Sequence, residues 1–172
     1  MSSKSCERDT SFRPARLDDP LIAAWLAGGE GRFNSILRRA DSRGKSWSQR
    51  MAYADVVKAL EVIFNDDHPV VKAAILGNTH VFVYGVGPVW WDPETKWLLE
   101  QFFARLGPGD SDPLGAIDAL AQHLGCKYIA FGTSLASQDE ALGRYLEAGG
   151  YSQQSAHYVK ETPWQSQQAQ PC

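Results

Sequence analysis

Little in this chain of 172 residues suits a membrane-spanning, secreted or metal-held protein. Its three cysteines, Cys6, Cys126 and Cys172, fall near the two ends and inside a predicted strand. So odd and scattered a set makes no disulfide framework and fits reduced thiols in a cytosolic setting. Apolar runs are short, each broken by Lys, Asn or Gly within about ten residues, where a spanning helix needs about 20. The first residues are polar and lack the apolar core of a secretion signal. His68, His80, His123 and His157 have no ligand-like spacing. His123 and Cys126 bring two soft donors near each other, but nothing supplies the rest of a zinc set, so these read as surface or turn histidines. No Gly-x-Ser-x-Gly, Walker loop or His-Glu-x-x-His occurs, which leaves hydrolase, nucleotide-phosphate and zinc-protease chemistry without support. There is no internal repeat.

What is present is ordinary in amount and uneven in distribution. A hydrophobic share of 44% and a charged share of 22% describe a soluble globular domain with a real core. The net charge of −3 conceals two halves: residues 1–60 carry eleven Lys/Arg against seven Asp/Glu, and residues 61–172 carry six against thirteen. The basic excess is densest in Arg32, Arg38, Arg39, Arg43, Lys45 and Arg50, opposed there by Asp41 alone. Interleaved with Phe33 and Trp47, this segment is either a nucleic-acid contact with salt-sensitive affinity or a solvated helix face that balances the acidic remainder.

The periodicity divides the chain as follows. Residues 1–11 are expected to be disordered, 12–161 to form one domain, and 162–172 to be a polar disordered tail. Phe12 to Asp19 reads as a short strand leading to a helix start at Asp19-Pro20, and that helix ends at Gly28-Gly29. Phe33 to Ala40 reads as a second short helix. From Ser48 a longer one follows, with Met51, Ala54, Val57, Leu60, Ile63 and Phe64 on one face and its end near Asn65-Asp66-Asp67. Val70–Leu76 and His80–Val86 are strand-like, and Gly77-Asn78-Thr79 is a hairpin turn between them. Gly87 to Pro93 reads as a loop whose Trp90 and Trp91 are either plugs over the core or an exposed contact site. Lys96–Arg105 fits strand or short helix, and its place beside two strands favours strand.

The clearest grammar lies from Asp112 to Tyr151. Asp112 caps a helix with Pro113 in its first turn and Leu114, Ile117, Leu120, Ala121 and Leu124 on one face. Gly125 stops it, and Cys126 to Gly132 follows as a strand. A helix over Gln138–Glu147 then ends at Gly149-Gly150, and Ser155–Lys160 reads as a last strand.

This order, with Gly125-Cys-Lys-Tyr-Ile-Ala-Phe-Gly-Thr-Ser, Ala141 through Tyr151, and Phe12-Arg-Pro-Ala with Asp18, resembles the N-acetyltransferase (acyl-CoA N-acyltransferase) superfamily. Within it the chain looks most like the small acetyltransferase-like internal virion proteins of short-tailed bacteriophages. The shared features are the Trp-rich loop, a strand ending in Arg, a short Gly/Ser/Asp loop and Gly-Cys-x-x-Ile-x-x-Gly-Thr-Ser. The resemblance implies an α/β fold whose mixed, mostly antiparallel sheet is flanked by helices. It implies acetyl-CoA as the cofactor of any activity, held near Arg105, Gly107, Gly109 and Ser111, with Glu100 as general base and Tyr145 as the acid that protonates the thiolate. It also implies a virion or host protein as partner, and a place in the host cytoplasm or the particle.

One departure bears on that chemistry. The family pattern Gln/Arg-x-x-Gly-x-Gly/Ala sets backbone N–H groups at a helix N-terminus around the coenzyme diphosphate. Here Arg105-x-Gly107-x-Gly109 is one residue short, Pro108 has no N–H, and Asp110 and Asp112 bring negative charge to the place of a diphosphate. The sequence therefore points first to a pseudoenzyme without cofactor that acts through its surface. An active N-acetyltransferase on an unknown amine and a nucleic-acid-associated protein are the alternatives.

Overall fold

The computed structural model describes residues 9–29, 53–131 and 140–152. They fall in two compact units, Met1–Ala136 and Ser137–Cys172, each taken by itself below. The first unit is mixed α/β. Its elements are β1 (Phe12–Pro14), a helix α1 over residues 20–29, α2 (Tyr53–Phe64), β2 (Val71–Leu76), β3 (His80–Val89), β4 (Asp92–Arg105), α3 (Pro113–His123) and β5 (Tyr128–Ala130). The strands form one sheet in sequence order, antiparallel from β1 to β4, with β5 parallel to β4. A parallel partner needs a crossover, and α3 supplies it.

Side-chain alternation sends the two faces of the sheet to different helices. Ala73 and Ile75 of β2 and Val81 and Val83 of β3 are buried in one cluster with Ile22 of α1 and Leu60 and Phe64 of α2. On the other face, Ala74, Leu76 and Phe82 are buried. Phe12, paired with Leu76, meets the ring of His123 of α3 there, tilted by 53° at 5.6 Å. That helix buries Leu114, Ile117, Leu120 and Ala121. The sheet is thus covered on both sides.

The helix ends follow from their residues. Asp19 Oδ1 accepts the Leu21 N–H at 2.9 Å and Pro20 opens α1. Gly125, at φ 69°, closes α3 with Gly125 N–H bonded to Gln122 O and Cys126 N–H to Ala121 O, the paired bonds of a Schellman stop. Asp66 closes α2 in the same way at φ 63°, and its carboxylate holds Lys72 Nζ at 2.5 Å. The inward face of α2 differs from the expected one. Val56 joins Leu60, Ile63 and Phe64 against the core, whereas Ala54 is exposed. Residues 56, 60 and 63 keep an i, i+4, i+7 spacing with Phe64 beside them; Val57 is half-buried at the edge of that stripe and Ala54 lies off it.

The β2–β3 turn is as expected: Gly77 at φ 50° and Asn78 at φ 54° occupy the positive-φ positions, and Thr79 N–H bonds Leu76 O at 3.0 Å. Lys96–Arg105 is strand and belongs to a longer one. The stretch Gly87–Pro93 is not a loop. β3 runs to Val89, β4 begins at Asp92, and only Trp90 and Trp91 turn the chain. Asp9, in the stretch expected to be unstructured, bridges Ser111. In the second unit, α4 (Glu140–Ala148) ends at Gly150, φ 87°, with Tyr151 N–H bonded to Leu146 O and Gly150 N–H to Glu147 O. The expected helix over Phe33–Ala40, the strand over Ser155–Lys160, the tail and the whole Arg32–Arg50 segment lie outside the described residues.

Candidate functional site

The loop between β4 and α3 carries four of the six candidate residues, and it is tied down from three directions. Arg105 ends β4 opposite His80. Its guanidinium turns back on its own loop, donating from Nε to Gly107 O at 3.0 Å and from Nη2 to Gly109 O at 3.2 Å. From the β2–β3 turn, Thr79 O accepts Leu106 N–H at 2.8 Å and Gly107 N–H at 3.4 Å. Thr79 itself is buried; its hydroxyl meets Ser111 Oγ and lies 2.8 Å from His80 Nδ1. From the N-terminal side, Asp9 bridges Ser111 and its carbonyl accepts Asp112 N–H at 3.1 Å. Asp112 Oδ1 then caps α3 by accepting Gly115 N–H at 3.0 Å.

The glycines serve these close approaches. A Cβ at Gly109, whose φ is 148°, would stand 2.5 Å from Thr79 Cγ2, and one at Gly77 would stand 2.5 Å from Ser111 Cβ and 2.9 Å from Asp9 O. Only Gly107 of the candidate glycines has open space where a Cβ would be. Four N–H groups between 106 and 115 are taken up internally, those of Leu106, Gly107, Asp112 and Gly115. Pro108 and Pro113 have none to give. In charge, Asp9, Asp110 and Asp112 gather here against Arg105. Hydrogen bonds from Ser11 hold the Asp9 carboxyl below its usual range, so it stays ionised at neutral pH.

His80 completes the joint. Its ring stacks on Phe103 at 5.1 Å with an interplanar angle of 4°, and Phe103 in turn meets Phe82 and Phe131 edge-on. Burial and the Arg105 guanidinium depress its pKa from 6.5 to about 4. The unfolded chain therefore takes up a proton between these values that the folded chain refuses. Stability is full above pH 6.5 and falls as pH drops toward 4. The fall would approach about 3 kcal/mol for a fully dry ring, and screening of this half-buried one reduces it to about 1–2 kcal/mol. His80→Phe keeps the stack and should flatten that limb of the urea-unfolding pH profile; an unchanged slope would exclude His80 as its source.

The two proposed catalytic residues are carried by β4 and α4. Glu100 is half-buried on β4, paired with Tyr84 beside a bulge in which Gln101 is the extra residue. A bulge re-aims the side chains next to it. Tyr145 is an exposed residue of α4, in the second unit. Sequence reasoning missed Asp9, Thr79 and His80 as parts of the loop's environment. The Gly77-Asn78 turn signal foretold the hairpin, but no local pattern said that its third residue would sit under the loop. Among the described residues no cluster of His, Cys, Asp or Glu could hold a metal ion, and no helix is long and apolar enough to cross a membrane. No protein-family model matches the chain, and no curated protein matches its sequence.

Proposed function

We propose that this is an acetyltransferase-like phage protein in which the coenzyme loop has become a structural joint, and that it works through its surface as a virion-associated or host-interaction component. One observation carries the reading. Arg105, which in the family pattern opens the coenzyme loop, is turned onto the carbonyls of Gly107 and Gly109. An anion site needs N–H groups directed at the ligand; here four of them are bonded internally, and the local carboxylates outnumber the guanidinium. A mixed, mostly antiparallel sheet flanked by helices is the architecture that the resemblance implies. That agreement supports an acetyltransferase-like scaffold and does not by itself supply a coenzyme.

The rival reading, an active N-acetyltransferase with acetyl-CoA at Arg105–Ser111 and Glu100 and Tyr145 in acid–base roles, is separated by a thermal shift. A ligand at 100 times its Kd stabilises its protein by about 2.7 kcal/mol, which a melting curve resolves easily. We expect no shift with acetyl-CoA at millimolar concentration. A midpoint that climbs with ligand and is abolished by Arg105→Ala would sink the scaffold reading and restore the enzyme.

A further inference from the structure

The β3–β4 hairpin ends as a finger. Its last pairing beside another strand is Gly87 with Trp97, itself next to Tyr128 of β5, while β2 stops earlier, at Val71 opposite Gly85. Lys96, one step outward, still accepts Lys127 N–H at 2.9 Å and reaches Leu124 O with its Nζ at 3.1 Å; beyond it the two strands pair only with each other among the described residues. The tip is Trp90 and Trp91, 87% and 62% exposed. Two-residue hairpin turns favour Gly, Asn and Asp, so local turn chemistry does not explain two indoles here. Nor does the core, since both rings stand in water.

The rings form a row. Trp90 meets Trp91 at 5.4 Å, Trp91 meets Trp97 at 6.4 Å, and Trp97 meets Tyr128 at 4.6 Å, with Lys127 Nζ 5.1 Å over the Tyr128 ring. Trp97, half-buried and held by Asp92 through its Nε1–H, and Tyr128 lie side by side at the base of the row, and Lys96 and Lys127 stand one register step nearer the tip. Such a set suits a bilayer's interfacial layer, where Trp and Tyr rings sit at the headgroup level and Lys side chains lay their stems along apolar surface while the ammonium stays in water. Pro88 and Pro93 remove two backbone donors from the finger, which spares N–H groups from desolvation and discourages pairing with another strand. The charges beside the rings balance, Asp92 and Glu94 against Lys96 and Lys127. A balanced rim matches a zwitterionic surface better than a polyanion, and a projecting tip buries both indoles in a penetrable partner more readily than on a flat one.

We infer that the β3–β4 finger is a peripheral anchor that docks this protein on a zwitterionic phospholipid bilayer by burying Trp90 and Trp91 in its interfacial layer. The carboxylates of Asp92 and Glu94 just behind the tip limit the depth to those two rings. The finger alone supports this docking, whether or not coenzyme binds at the far end of β4.

The test uses the full chain and phosphatidylcholine vesicles. Co-sedimentation is expected for the natural protein, with W90A/W91A weakening it by about tenfold or more. Lipids brominated near the glycerol level should quench tryptophan emission in the natural protein and not in W90A/W91A. The replaced side chains are exposed, so an unchanged melting midpoint certifies the variant as folded. No sedimentation at millimolar lipid, or equal partition of the folded variant, overturns the inference. So does tighter binding of a single-stranded oligonucleotide that W90A/W91A abolishes, since it would assign the rings to nucleic acid.

Discussion

Phe82→Ala should cost about 3–5 kcal/mol, the range for truncating a fully buried aromatic ring. Phe82 is fully buried on the central strand β3 and lies within ring-contact distance of Tyr84, Phe103 and Phe131, at 5.6, 6.4 and 6.0 Å. Those neighbours come from β3, β4 and the residue after β5, so the ring ties three strands together on the face that α3 covers. Truncation leaves a cavity lined by aromatic rings. Flat rings anchored on paired strands cannot collapse into it, which places the cost toward the upper part of that range. A domain of this kind has about 5–15 kcal/mol in hand, so the variant should unfold at a much lower urea midpoint with an unchanged m value. Val70→Ala, at a side chain 61% exposed, is the contrast and should stay within about 0.5 kcal/mol. Equal losses at the two positions would mean that the β3 core is not where the stability resides.

The parts of the fold that could be read beforehand are those decided within one turn of chain. Asp19-Pro20 and Asp112-Pro113 start helices because the cap and the ring act on the next three residues; Gly125 and Gly150 stop them because only the C′ residue must go left-handed. Gly77-Asn78 makes its turn for the same local reason. Where pairing decided the outcome, the sequence was silent. Pro88 and Pro93 signal a loop, yet both lie within strands that pair only with each other near the tip. Pro is tolerated where a strand has an open edge. The inward face of α2 is not legible because Val56 and Val57 are equally apolar, and only the sheet beneath selects between them. The candidate site was legible as a loop with an unfavourable composition. Its occupation by Arg105, Thr79 and Asp9 was not, since those contacts join residues separated by up to about a hundred positions.

Gly77→Ala tests that joint directly and should destabilise by about 2–3 kcal/mol. The positive φ alone costs an L-residue about 1–2 kcal/mol. The remainder comes from the new methyl, which would sit 2.9 Å from Asp9 O and 2.5 Å from Ser111 Cβ. A carbonyl in the backbone cannot swing aside as a flexible side chain can, so the Asp9–Ser111 bridge must open or the turn must shift. Gly109→Ala presses on the same joint from the other side, through Thr79 Cγ2. Thr79 and Ser111 share a hydroxyl contact, so the two substitutions act on connected groups and their losses should fall short of additive. Distant sites add within about 0.5 kcal/mol, and a larger shortfall in the double variant would show that turn, loop and N-terminal segment open as one unit. Strict additivity would instead make them three independent contacts. The amide exchange of Asp112, whose N–H bonds Asp9 O, distinguishes the two mechanisms residue by residue: it should quicken in either single variant if the joint is shared, and only in Gly77→Ala if it is not.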